Sequence, residues 1–175
     1  MQTSLGDLGR AEATVESVTA ENGARPQDFN LLAWLRLIRG RADDKTLALA
    51  RRAAEGSQRR SPSILHTLAA ALAEADRPEE AYRTLVEEMG ARESVLHPEI
   101  MDAEWYVIGR IAESYGAVDA AREAYGRYQR PADPAPDDTW HLVDRRLKAL
   151  PRAAQSPSPA PPSSGKRAAT VSAPL

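Results

Sequence analysis

Four prolines set the period of this chain. Pro26, Pro62, Pro98 and Pro131 lie 36, 36 and 33 residues apart, and recurrence at that length marks stacked supersecondary units rather than one globular core. Aligned on these prolines, the blocks are PQDFNLLAWLRLIRGRADDKTLALARRAAEG, PSILHTLAAALAEADRPEEAYRTLVEEMG and PEIMDAEWYVIGRIAESYGAVDAAREAYGRY. Each holds an apolar stretch of helical period, a break and a second helical stretch, so each predicts an antiparallel helical hairpin. Gly40, Asp76 with Arg77 and Pro78, and Gly116 mark the breaks with residue types that end one helix or open the next. Ser61 ahead of Pro62 suits an N-cap. The third block carries four extra residues before its apolar pattern, which aligns Trp105 with Leu65.

Composition agrees with helix. There are 32 alanines, 20 arginines and 3 lysines against nine aromatic residues, and β-branched residues nowhere alternate with polar ones over a useful length. Seven to nine helices without a sheet are expected, with order ending near Leu150. The arginine and alanine bias looks like that of a GC-rich bacterial source; a cytoplasmic location is expected. With no cysteine, disulfides, thiolate metal sites and thiol catalysis are excluded. A net charge of −2 supplies no basic field for a phosphate backbone, so nucleic acid is not an expected partner. The opening MQTSLGDLGRAEATVESV lacks a basic stretch followed by an apolar run, and no window approaches the roughly 20 apolar residues of a membrane span. A soluble chain without membrane insertion is expected.

Residue types at matching places in the hairpins resemble the tetratricopeptide repeat (TPR). A small residue follows a large apolar one in the first helix at Leu32-Ala33, Leu68-Ala69 and Ile108-Gly109. Ala81 and Ala121 in the second helix are followed four positions on by Leu85 and Tyr125. LHTLAAALAEADRPEEAYRTL and WYVIGRIAESYGAVDAAREAYGRY carry the pattern best. The first block departs from it: Thr46 stands where the packing alanine is expected, and its turn, GRADDKT, is one residue longer. GDLGRAEATVESVTAENGARP resembles the second half of a further repeat, so the likeness covers about Gly6 to Tyr128. It implies an all-α fold, a right-handed superhelical array of antiparallel hairpins, an α-solenoid. Small side chains at Ala33, Ala69, Gly109, Ala81 and Ala121 allow helices to approach to about 8–10 Å, and stability becomes a sum over neighbouring hairpins.

Four segments follow: a half-repeat helix (1–25), three hairpins (26–130), a connector and capping helix (131–150), and a disordered Pro/Ser/Ala-rich tail (151–175). The connector PADPAPDD is short and stiff. Trp140, Val143, Leu147 and Leu150 recur at helical spacing beyond it, with Asp144, Arg145, Arg146 and Lys148 expected to face water, as a terminal cap requires. The tail lacks large apolar residues and cannot fold alone; its PAPP string could dock an aromatic groove as an extended left-handed helix.

Residues suited to catalysis are scattered. His66, His97 and His141 lie far apart and form no metal-ligand spacing, and SSGKR lacks the glycine spacing and preceding strand of a phosphate loop. Asp43-Asp44, Glu79-Glu80, Glu87-Glu88 and Asp137-Asp138 are expected at turns or on exposed helix faces. No enzyme activity, cofactor or metal is expected. Charge is segregated instead: residues 31–60 hold eight basic and three acidic residues, and residues 61–104 hold three basic and ten acidic. Adjacent hairpins should therefore attract. Arg36, Arg39, Arg41, Arg51 and Arg52 serve either that stacking or a patch accepting an acidic peptide.

The TPR resemblance implies a protein–protein interaction module or scaffold that holds a peptide or helix of a partner in a concave groove. Alternatives are a C-terminal regulatory or oligomerisation fragment of a larger bacterial enzyme or transport protein, and a homodimer. By the same resemblance the groove is lined by Asn30, Trp34, Leu37, His66, Ala70, Glu74, Tyr106 and Arg110. Trp34 and Tyr106 offer apolar area with a polar tip, Arg110 suits a carboxylate, and Asn30 suits a peptide backbone. The lysine- and asparagine-rich clamp that the family uses for acidic chaperone tails is not matched, so chaperone-tail binding is not expected.

Overall fold

The computed structural model describes residues 2–21, 23–92 and 100–151, in which there are eight helices and no strand. They are α1 (Gln2–Ala20), α2 (Pro26–Ile38), α3 (Asp44–Gly56), α4 (Pro62–Glu74), α5 (Pro78–Gly90), α6 (Asp102–Ser114), α7 (Val118–Gly126) and α8 (Trp140–Ala149). His97, Pro98 and the tail after Pro151, with PAPP and SSGKR, lie outside the described residues. No described helix is long and apolar enough to cross a membrane.

The breaks fall where the sequence places them. Gly40, Asp76 and Gly116 adopt left-handed φ values of 77°, 55° and 72°, which reverses the chain at the ends of α2, α4 and α6. At each end two backbone bonds close the helix. Gly40 and Arg41 N–H donate to the Leu37 and Arg36 carbonyls, both at 2.8 Å. Asp76 and Arg77 repeat the pair at 3.3 and 3.0 Å, and Gly116 and Ala117 at 2.8 and 2.9 Å. Pro26, Pro62 and Pro78 sit in first turns, where their missing N–H costs nothing. Ser61 does occupy the N-cap of α4 but makes no capping bond; its hydroxyl meets that of Ser63 at 3.2 Å.

α2 packs on α3, α4 on α5 and α6 on α7, each pair stacks on the next, and α1 packs on α2. Ala33, Ala69, Ala81 and Ala121 are wholly buried, with Leu32, Leu68, Leu85 and Tyr125 filling the layers between. Close packing of adjacent helices is thus consistent with a helical repeat. Thr46, the first-hairpin exception, is also wholly buried. Its hydroxyl donates to the Arg41 carbonyl at 2.6 Å and accepts from Arg36 Nε at 2.9 Å. A buried arginine beneath it is why alanine does not suffice there.

That arginine corrects the acidic-peptide patch. Arg36 is buried and pairs with Glu12 of α1 at 3.1 Å and with Asp43 at 2.8 Å. Arg41 also meets Glu12, at 2.9 Å, as does Arg39. Arg51 pairs with Glu80 at 2.8 Å, and Arg52 lies 4.0 Å over the Phe29 ring. The five arginines are therefore committed within the chain. Arg51–Glu80 and Arg59–Glu87 (2.5 Å) tie the basic first hairpin to the acidic second, although half-exposed pairs of this kind contribute at most about 1 kcal/mol each.

α8 is not a cap on the last hairpin alone. It packs against both α7 and α2, burying Leu142 and Val143 completely. Arg145 and Arg146, expected to face water, are drawn inward. Arg145 donates to the Leu37 and Ile38 carbonyls at 3.2 Å each, which suits a cation at a helix C-terminus. Arg146 Nε donates to Glu113 at 2.9 Å, and Arg122 of α7 donates to the Pro151 carbonyl. Of the expected polar side, Lys148 and Asp144 pair with each other at 2.6 Å. α8 thus bridges hairpins one and three, which a purely nearest-neighbour array does not require.

Candidate partner-binding groove

α2, α4 and α6 pack side by side and are of equal length, so equivalent positions form rows. Asn30, His66 and Tyr106 are the fifth residues of the three helices; Trp34, Ala70 and Arg110 are the ninth. The connector meets this face at Trp34, and α8 meets it at the end of α2 and at Glu113; by burial the face has a closed part and an open part.

The closed part takes five of the eight candidate residues. Leu37, Ala70 and Tyr106 are at most 1% exposed and Arg110 is 7% exposed. The Tyr106 hydroxyl donates to Glu74, and burial, followed by the Glu74 charge, holds that phenol well above its ordinary pKa. Arg110 lies 3.3 Å from Glu74 and 2.5 Å from Glu113, and donates to the Ala73 carbonyl at 3.2 Å. Two carboxylates and a carbonyl of the chain itself thus enclose the guanidinium, although its Nε makes no hydrogen bond among the described residues. Glu113 further accepts from the Tyr125 hydroxyl at 2.8 Å and from Arg146. Burial pushes Glu113 up, but the bonds from Arg110, Tyr125 and Arg146 outweigh it and leave its carboxyl below the ordinary range.

The open part gathers Asn30, Trp34 and His66. They line a cavity of about 390 Å³ with Pro62, Ser63 and Thr67 of α4, Glu88 and Arg92 at the end of α5, and Met101, Ala103 and Glu104 at the start of α6. Trp34 donates its indole N–H to the Asp137 carbonyl at 2.8 Å, which fixes the ring at the border of the two parts. His66 packs beside it, ring centroids 5.8 Å apart at 54°. Nδ1 of His66 lies 3.5 Å from Glu88 Oε2. Neither His66 nitrogen, nor Asn30 Oδ1, nor Glu88 Oε2 has a hydrogen-bond partner among the described residues. Arg92 lies 3.2 Å from Glu88 Oε1 and also meets Glu104, whose other oxygen accepts the Met101 N–H at 2.8 Å. The cavity therefore sets aromatic faces beside hydrogen-bond acceptors.

Glu88 and Glu104 are the residues that sequence reasoning missed. Glu88, expected on an exposed face, is 4% exposed, and Glu104 is 1% exposed. A signal for Glu88 existed: it continues the buried row Ala81, Thr84, Leu85 of α5 at the next helical step. Glu104 stands at the third position of α6 and its carboxylate accepts the N–H of Met101, the residue before the helix, a pattern hidden because Met101 is not a usual capping residue.

A second concavity, of about 740 Å³, opens between α5 and α6. It is lined mainly by apolar side chains, among them Leu85, Val86, Met89, Ile100, Ile108 and Ile111. The four extra residues of the third block fall between these two helices. Its lining supplies apolar area with few directional groups. The first-helix cavity, by contrast, combines both.

His141, the remaining described histidine, has Nε2 2.9 Å from the Ala135 carbonyl and is spent on folding the connector. Comparison of the chain with protein-family models, with curated proteins and with solved structures finds no match.

Proposed function

We propose that the chain is a TPR-like protein–protein interaction module, a right-handed superhelical array whose first-helix face receives a peptide or helix of a partner at the end that α8 leaves open. One observation carries this. Three of the eight groove positions, Asn30, Trp34 and His66, contributed by two different helices, meet in one open cavity in which buried polar atoms find no hydrogen-bond partner among the described residues. Buried polar groups are ordinarily satisfied, and a binding segment would satisfy these. Ring faces beside acceptors are also the composition of interface anchor sites. Such a site is suited to holding a ligand, in keeping with a scaffold.

The test is selection of peptides from a displayed library against the full chain, followed by calorimetric titration. His66→Ala and Ala103→Arg, which respectively empty and fill the cavity, should each weaken the selected peptides at least about tenfold. Asp119→Ala on exposed α7 should leave affinity unchanged. Equal affinity for all three variants and the parent would overturn the assignment of the groove.

A further inference from the structure

The geometry points to a basic side chain, a lysine or arginine of the bound segment, as the group this cavity recognises. The inference rests on the proposed groove and names its ligand chemistry. Glu88 Oε2 and Asn30 Oδ1 can only accept hydrogen bonds, and neither has a hydrogen-bond partner among the described residues. Glu88 itself is 4% exposed, so its oxygen is not left to bulk water. His66, whose Nδ1 is 3.5 Å from that oxygen, adds a second ring nitrogen, Nε2, that likewise has no hydrogen-bond partner among the described residues. An ammonium carries three donors and no acceptor, and a guanidinium five; either matches a site rich in acceptors.

Charge agrees. The cavity lining includes two buried carboxylates, Glu88 and Glu104, and one guanidinium, Arg92, which leaves an incoming cation favoured over an anion. Trp34 and His66 supply ring faces for the aliphatic stem of the same side chain. The covered part of the face shows the same preference independently: its occupant, α8, enters with Arg145 on the terminal carbonyls of α2 and Arg146 on Glu113. This is opposite in sign to a clamp for acidic tails.

The probes are N-acetyl-lysine methylamide, N-acetyl-arginine methylamide and N-acetyl-norleucine methylamide, titrated into the isotope-labelled full chain and followed by NMR at the Trp34 indole and His66 ring signals. The lysine or arginine probe should give saturable shifts at both and norleucine none. Glu88→Gln, which keeps shape and removes charge, should weaken the response at least about tenfold. Asn30→Leu serves as a second variant should Glu88→Gln lose its fold. Shifts of equal size with norleucine, or undiminished shifts in a folded Glu88→Gln or Asn30→Leu variant, would overturn the cation assignment while leaving the groove in place. Silence at Trp34 and His66 with all three probes would overturn it as well. Should library-selected peptides still bind there, the groove stands without a basic anchor; should none bind, the groove falls too.

Discussion

A methyl group on Gly109 would stand 2.6 Å from Cδ1 and 2.7 Å from Cζ of Tyr125. The ring of α7 thus lies directly on the bare backbone of α6, and its hydroxyl is tied to Glu113 at 2.8 Å. Gly109→Ala must push aside a ring held at its far end. Overfilling of this kind costs about 1–3 kcal/mol, and the gain in helix propensity returns at most about 1 kcal/mol. A net loss of about 1–2 kcal/mol is expected, read as a lower urea midpoint by circular dichroism.

Ala69 and Ala121 are both wholly buried at helix crossings. Ala69→Leu and Ala121→Leu should destabilise by about 1–3 kcal/mol each, because the crossing cannot widen without moving backbone. An unchanged denaturation midpoint for either would require a different register.

Much of this was legible in the residues. Small side chains at Gly109 and Ala121, prolines in first turns and Gly40, Asp76 and Gly116 at the breaks act locally, through steric room and backbone dihedrals, so their effect can be read at their own positions. The seat of α8 could not be read that way. Trp140, Val143 and Leu147 declare an apolar face, yet nothing in their spacing says whether it meets α7 alone or also α2. Arg36 misled for a related reason: its charge marks a surface residue until Glu12, Asp43 and Thr46 are seen to enclose it. Of the eight candidate positions, the resemblance put Asn30, Trp34 and His66 on one face, whereas the burial of Leu37, Ala70, Tyr106 and Arg110 depends on neighbouring helices that their own spacing does not name.

Glu12, 2% exposed, receives Arg36, Arg39 and Arg41 together and so holds α1 onto the first hairpin. Removing one partner of a buried pair leaves an uncompensated charge and costs about 3–5 kcal/mol. Glu12→Ala should lose about that much, with hydrogen exchange in α1 accelerating first.

Acid should weaken the fold through carboxylates held down in the native state. The Thr46 backbone N–H, then the Arg36 hydrogen bond, lower Asp43 from 3.8 to about 2 against the effect of burial, and Glu113 is lowered as well. A depressed native pKa contributes stability that is present above the unfolded value and lost as pH falls through the folded one. Stability from these two groups should therefore hold at neutral pH and fall below the ordinary carboxylate range, with Asp43 still losing its share down to about pH 2. Urea midpoints across that range should show a shallower slope for Asp43→Asn.

α8 makes the first and third hairpins depend on each other. Leu142 is wholly buried, and Leu142→Ala should cost about 2–5 kcal/mol. Because Arg145 binds the end of α2 while Arg146 binds Glu113 of α6, protection from hydrogen exchange should fall in α2 and α6 alike. Loss confined to α7 and α8 would restore the simple terminal cap.

The most direct measurement is residue-resolved hydrogen exchange of the full chain with and without a library-selected peptide. Binding in the first-helix cavity predicts added protection in the first turns of α4 and α6 and around Asn30 and Trp34 of α2. Protection centred on Val86, Met89 and Ile111, with the first turns unchanged, would place the partner in the apolar cavity between α5 and α6 and contradict the account.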